Sequence, residues 1–309
     1  MRAGIKCIFL QNTSIPPKAF INDTMPLISI ITAIHNGLAF NQIFYESLKK
    51  YTVNPFELII IDNDSTDGSR EYFLSAGAQV IHNKGNYSYP YCQNQGIAAS
   101  KGSYLAFLNN DLVLSPNWDA ILVEAAQRNG ADIISASGIE NLGNFRDTQA
   151  IDRKWKRTKN PLMLLGFGKS NLLRMHRWMY GGWEHFCQRR LERWGYEVVE
   201  GIVGNNILMT RRGLEVIGPW DRRIQTADFD LFMRTKKRAQ EVGDIKPCQI
   251  ALGAFIHHYS RMTSKYAVKP KPFTDAAELL DINIKWSEEE RDALHPDNST
   301  IRKKYYAGK

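Results

Sequence analysis

The stretch "YLAFLNND", residues 104–111, is an apolar run that stops at two amides and a carboxylate. At the end of a buried strand, Asn109, Asn110 and Asp111 must either reach solvent or hold a polar ligand, because polar groups are costly to bury unpaired. The habit recurs along the chain. "SIITAIHN" ends on His35 and Asn36, and "ELIIIDND" ends on Asp62, Asn63 and Asp64. Further on, "ADFDLFMR" opens with Asp228 and Asp230, and "FIHHYS" sets His257 and His258 after another apolar run. Carboxylates, amides and imidazoles at such points are the groups that bind cations, move protons and recognise polar ligands.

The elements that must position these groups follow a regular alternation. "LISIITAI", "FELIIID", "AQVIHN" and "SYLAFLNN" read as buried strands, separated by the helical stretches "AFNQIFYESLKKY", "STDGSREYFLSAG" and "YCQNQGIAASKG". Near-continuous apolar strands alternating with helices predict an α/β fold with a mostly parallel sheet covered on both faces. Ligands of such open sheets lie beyond the carboxyl ends of the strands, so the three polar strand ends should converge on one crevice. "SPNWDAILVEAAQRNG" reads as a further helix and "ADIISASG" as a further strand. After Gly143 the pattern gives way to a basic stretch read as rich in loops. A helical stripe follows, through Leu172, Met175, Met179, Trp183, Phe186 and Trp194, with Gly181 and Gly182 breaking or kinking it. Order returns with "VVEGIVGNNILMTRRGLEVIG", the helix "ADFDLFMRTKKRAQEVG" and the strand "CQIALGAFIHHY", and "WSEEERDAL" carries a capping box for a last helix.

Composition narrows the function classes. The chain has 309 residues, 43% apolar, enough for a substantial core. A net charge of +8 favours acidic partners such as nucleotide phosphates, anionic lipid head groups or nucleic acid. Four scattered cysteines without CxxC spacing suggest neither a zinc site nor a disulfide framework, which points to a reducing cytoplasm. No apolar run has bilayer-spanning length, and the opening residues lack the apolar core of a secretory signal, so any membrane contact is expected to be peripheral.

Four ordered blocks, "SIITAIHNG", "IIIDNDSTDGS", "NQGIAASKGSYLAFLNNDLVLSPNW" and "ADFDLFMR" with "HHYSRMTS", resemble the inverting, nucleotide-sugar-dependent glycosyltransferases of family 2, with the GT-A fold. The resemblance covers about residues 27–140 and 198–264. It implies an N-terminal extension over 1–26, a nucleotide-sugar-binding half over 27–140, a basic Arg- and Trp-rich insertion over 141–197, an acceptor-binding and catalytic half over 198–265, and a tail over 266–309 with a short helix.

The resemblance also implies roles. Asp62 would accept the imide N–H of a pyrimidine, with Asp64 lining the same wall; the alternative is that both cap the following helix. His35 stands where an aromatic ring stacks near the base, and Ala33, Asn94, Asn109 and Asn110 join the nucleotide-sugar side. "LNND" resembles the metal motif DxD in a form with amides for the leading acids, so Asp111 would ligate a divalent cation, Mn²⁺ or Mg²⁺. His258, rather than His257, would complete the metal or diphosphate site, with Thr263 and Ser264 following and Arg261 and Lys265 near the diphosphate. "ADFDLFMR" matches a stretch that begins Glu-Asp in relatives. Here Ala227 replaces the glutamate, and Asp228 is retained as the catalytic base. Asn205 and Asn206 would bind acceptor sugar hydroxyls, with Trp220 and Asp221 as an acceptor platform; core packing is the alternative for Trp220.

The implied activity is transfer of a hexosyl or deoxyhexosyl group from a UDP-, dTDP- or GDP-sugar to a hydroxyl of a glycan or lipid-linked acceptor. The LNND form resembles transferases of surface polysaccharide assembly. The insertion reads as a lid or as a membrane-surface element over 144–197, and nucleic acid is not an expected partner. Two other classes stay open: a weakened nucleotide-sugar- or glycan-binding protein, and a basic membrane- or RNA-binding module. A sugar nucleotidyltransferase is disfavoured because "TAIHNGLAF" has a single glycine where a phosphate loop needs several.

Overall fold

The computed structural model describes residues 27–260, 262 and 271–294. The N-terminal extension and the expected diphosphate neighbours Arg261, Thr263, Ser264 and Lys265 lie outside them. In chain order the elements of the first half are β1 (Ile28–Ile34), α1 (Leu38–Tyr51), β2 (Phe56–Asn63), α2 (Ser69–Ser75), β3 (Gln79–Asn83), α3 (Tyr89–Ala99), β4 (Tyr104–Leu108), β5 (Leu112–Val113), α4 (Trp118–Asn129) and β6 (Ile133–Ser137). Three helices follow, α5 (Phe145–Leu162), α6 (Lys169–Tyr180) and α7 (Trp183–Trp194). The rest comprises β7 (Val198–Glu200), β8 (Asn206–Thr210), α8 (Arg211–Ile217), α9 (Ala227–Glu241), β9 (Gln249–Phe255), β10 (His257–His258), α10 (Ile282–Lys285) and α11 (Glu288–Leu294).

Eight strands form one sheet in the order β3-β2-β1-β4-β8-β6-β9-β7. β1 to β4 pair in parallel, as do β6 and β9, while β8 and β7 run antiparallel to their neighbours. The apolar strands are buried on both faces. Leu58, Ile60, Ala106 and Leu108 enter one core, and Ile59, Ile61, Leu105 and Phe107 enter the other, as a side-chain period of two requires. A two-stranded ladder, β5 with β10, lies apart from the main sheet and pairs Leu112 with His258 and Val113 with His257.

The insertion departs from its sequence reading in one respect. The stretch read as loop-rich contains the 18-residue helix α5, started by the Asn144 side chain accepting from the Asp147 amide. Its buried residues, Thr148, Trp155 and Leu162, recur every seven positions. So sparse a stripe among basic residues gives little apolar periodicity to read. The glycine break falls where expected: Gly181, at φ +71°, ends α6, and α7 begins at Trp183. Leu172, Met175, Met179 and Trp183 pack with Phe40, Phe255 and Tyr259 in a third core that joins the insertion to the sheet. Among the described residues no helix is long and apolar enough to cross a membrane.

The C-terminal segment straps the two halves together. Asp275 caps α3 by accepting from the Ser88 amide at 2.9 Å and its hydroxyl at 2.5 Å, and the Thr274 amide donates to Asn86 O. Farther on, Trp286 Nε1 and Lys285 Nζ both reach the buried Asp230 of α9, at 2.9 and 2.6 Å.

Candidate functional site

The end of β4 is tied to the start of β8 by the Asn109 amide donating to Asn205 O at 3.0 Å. Asn110 turns its amide to Asn41 Oδ1 at 2.7 Å, and Asp111, 4% exposed, leads into β5. The β5–β10 register then sets His258 beside Asp111, with Nε2 3.2 Å from Oδ1. On the other side of the ring, Nδ1 lies 2.7 Å from Glu140 Oε1 and 3.1 Å from Asn205 Nδ2. Burial alone would push this imidazole down, but the two carboxylates outweigh it and raise its pKa to about 10. His257 faces the opposite way, with Nδ1 2.9 Å from the Tyr180 hydroxyl of α6, and burial holds it neutral.

Asp228 sits in the first turn of α9, over Gly204. A Cβ built on Gly204 would fall 2.0 Å from Asp228 Oδ2, so only glycine leaves room for the carboxylate. Asp228, Asn109, Asn205, Glu140 and His258 line one cavity of about 290 Å³. The wall beside Asp228 is apolar and includes Ala227, Phe229, Phe232 and Ile202. At its edge the Tyr89 hydroxyl is buried without a hydrogen-bond partner among the described residues, its pKa raised by burial and then by the charge of Asp228. Gly204→Ala is expected to push Asp228 aside, its Cβ as well as its carboxylate lying within 2.5 Å of the new methyl, removing most activity and costing about 1–3 kcal/mol of stability. Gly204→Ala at full activity would show that the carboxylate position is not used.

The donor set fits a divalent ion. A divalent ion between Nε2 and Asp111 would replace the proton that the two carboxylates hold on His258, while Glu140 keeps Nδ1–H oriented, the arrangement in which a carboxylate orients a ligating imidazole. One carboxylate and one imidazole suit an ion that completes its shell with water and phosphate oxygens. Among the described residues no three His, Cys, Asp or Glu side chains surround a common point, because Glu140 and Asp111 lie on opposite sides of the His258 ring.

Other residues singled out from the sequence are placed elsewhere. Asp62 is 0% exposed, with Oδ1 accepting from the Ser65 amide at 3.1 Å and Oδ2 2.9 Å from His82 Nδ1. It closes the turn after β2 and does not line the cavity. Asp64, left-handed at φ +62°, pairs with Lys271 at 3.3 Å, and His35 Nδ1 lies 2.5 Å from Asn63 O. Ala33 is in register with Ile61 at the end of β1. Four expected ligands are spent on the fold. Asn94 uses both ends of its amide on the Trp220 backbone, at 2.8 and 3.0 Å. Trp220, 3% exposed and edge-on to Phe107 at 5.1 Å, is core and offers no platform. Asn206 is wholly buried, its Oδ1 accepting from the Ala136 amide. Asp221 is held by Arg223 and Lys285, both at 2.8 Å, and these lower its pKa. Glu140, Tyr89 and Gly204 went unnoticed in the sequence. Glu140 obeys the same strand-end rule, three residues beyond β6; nothing local marks the other two.

The profile described as Glycosyl transferase family 2 matches residues 29–218. The chain belongs to this family. Among curated relatives, the glycosyltransferase GlyG of Streptococcus pneumoniae serotype 4 is 28% identical over 127 residues, 38% of this chain and 42% of that protein. The uncharacterized glycosyltransferase EpsJ of Bacillus subtilis is 30% identical over 115 residues, 36% of this chain and 33% of that protein. The chain thus spans well under half the length of these relatives. The solved structure of GalNAc-T7 with UDP, GalNAc and Mn²⁺ superposes at a TM-score of 0.54 with 12% identity, covering 89% of this chain and 50% of that one. That likeness concerns the fold, which is GT-A.

Proposed function

We propose that this family 2 protein is an inverting glycosyltransferase, moving a sugar from a nucleotide-diphosphate donor to a hydroxyl of a glycan or lipid-linked acceptor. The observation that carries the reading is the meeting of Asp228 and His258, the latter paired with Asp111, at one cavity of about 290 Å³, at the lower end of the size of small-molecule sites. Asp228 takes the proton of the acceptor hydroxyl as that oxygen bonds to the anomeric carbon; the bond from that carbon to the diphosphate oxygen breaks on the opposite face. Asn109 and Asn205 offer amides to sugar or ribose hydroxyls, and the unpartnered Tyr89 hydroxyl offers one more donor. Asp111 and His258 would hold a Mn²⁺ or Mg²⁺ ion, with Glu140 orienting the imidazole. When bound, the ion neutralises charge growing on the leaving diphosphate. The resemblance of the LNND form to transferases of surface polysaccharide assembly supports that setting, and four cysteines without disulfide spacing support a cytoplasmic one.

A panel of UDP-, dTDP- and GDP-sugars, screened for Mn²⁺-dependent thermal stabilisation and then for donor hydrolysis, tests the reading. One donor should stabilise the protein and be turned over; stabilisation by none sinks it. Glu140→Gln is expected to raise the Mn²⁺ dissociation constant by about 10- to 100-fold, the usual range for loss of a partner that orients a metal-bound histidine. Titration of the Mn²⁺ electron paramagnetic resonance signal measures this without any turnover, and an unchanged constant removes Glu140 from the site.

The second reading, a nucleotide-sugar-binding protein without turnover, is favoured by Ala227. This residue is 3% exposed in an apolar wall where the family resemblance implies a carboxylate. Donor binding without hydrolysis or transfer in the wild-type protein would establish it.

A further inference from the structure

The insertion exposes groups that neither its packing nor the cavity uses. At the corner between α5 and α6, Leu164 and Leu165 are 89% and 61% exposed. On α6 itself, Leu173 is 43% and Trp178 61% exposed. The helical period explains the arrangement. Leu172, Met175 and Met179 face the core, while Leu173, Arg174, Arg177 and Trp178 share the outward stripe. α5 adds exposed Arg153, Lys154, Lys156 and Arg157. Over 141–197 there are twelve Lys and Arg against five Asp and Glu, so this segment carries a net +7 of the chain's +8.

A solvated lid accounts for the basic residues but not for two leucines and a tryptophan standing out at the same corner and stripe. Nucleic acid would engage the arginines and the indole, yet it has no use for the most exposed side chains, which are aliphatic. We propose that this face of the insertion docks on an anionic lipid surface. Trp178, Leu164 and Leu165 enter the boundary between head groups and acyl chains, and Arg174, Arg177 and the α5 cations meet lipid phosphates. The inner side of α6 packs behind β10, where Tyr180 bonds His257, whose ring faces away from His258. The proposal does not depend on sugar transfer, since lipid binding is measured without a donor.

Co-sedimentation of the full chain with phosphatidylcholine vesicles, with and without phosphatidylglycerol, tests it. Binding is expected only to the anionic vesicles and should weaken with added salt. Arg174→Gln and Arg177→Gln should each lower partitioning roughly fivefold. Leu164→Ser with Leu165→Ser, or Trp178→Ser, should lower it about tenfold. Because Leu164, Leu165, Arg177 and Trp178 are exposed and Arg174 is half-buried, thermal unfolding should change little, and this readout separates lost binding from lost fold. No binding, equal binding to both vesicle types, full binding by every variant, or burial of Trp178 in a dimer of this chain would overturn the proposal.

Discussion

Asp228→Asn is expected to lower sugar transfer by about 10²- to 10⁴-fold, the usual share of a positioned general base, while donor binding changes little. The substitution keeps the size of the side chain over Gly204 and removes only its capacity to take a proton. The metal and diphosphate neighbourhood, built from Asp111, His258 and Glu140, stays intact. Initial-rate measurements with the donor found in the screen, beside calorimetric donor binding, give the two numbers needed. Equal loss of binding and rate would mean that Asp228 holds substrate rather than acting on it. Unchanged turnover would exclude it as the base.

Asp230→Ala, two residues along the same helix, is expected to have the opposite phenotype, losing about 3 kcal/mol of stability, at the low end for breaking a buried ion pair. Asp230 is 1% exposed and receives Arg234 Nε at 2.9 Å, Trp286 Nε1 at 2.9 Å and Lys285 Nζ at 2.6 Å. Alanine leaves both cations without their shared anion. The low end of the range applies because Arg234 and Lys285 keep 18% and 20% of their side-chain exposure. Urea denaturation should show a lower midpoint with an unchanged slope. A midpoint at the wild-type value would show that α10 contributes nothing to holding α9.

The contrast between these aspartates marks where sequence reasoning stops. The alternation of apolar strands and helices was legible because strands buried on both faces leave continuous apolar runs, as β4 does at Tyr104–Leu108. The strand-end rule located Asn109, Asn110 and Asp111 at the carboxyl end of β4. What brings Asp111 to His258 is a ladder of two-residue strands, too short to leave any pattern. Helix α5 was hidden by its sparse buried stripe. Trp220, between Pro219 and Asp221, reads as an acceptor platform or as core, and it is core, its backbone clamped by Asn94 of α3. Contacts between residues more than a hundred positions apart, such as Glu140 with His258, follow from topology and not from local composition.

The C-terminal strap also governs the order in which a growing chain can finish its site. Asp230 leaves the ribosome 56 residues before Trp286, and Ser88 leaves 187 residues before the carboxylate that caps its helix. Throughout that interval the helix bearing Asp228 lacks its anchor and α3 lacks its cap. The nascent polypeptide therefore carries the last cavity residue, His258, 28 residues before Trp286 can anchor the helix that bears Asp228.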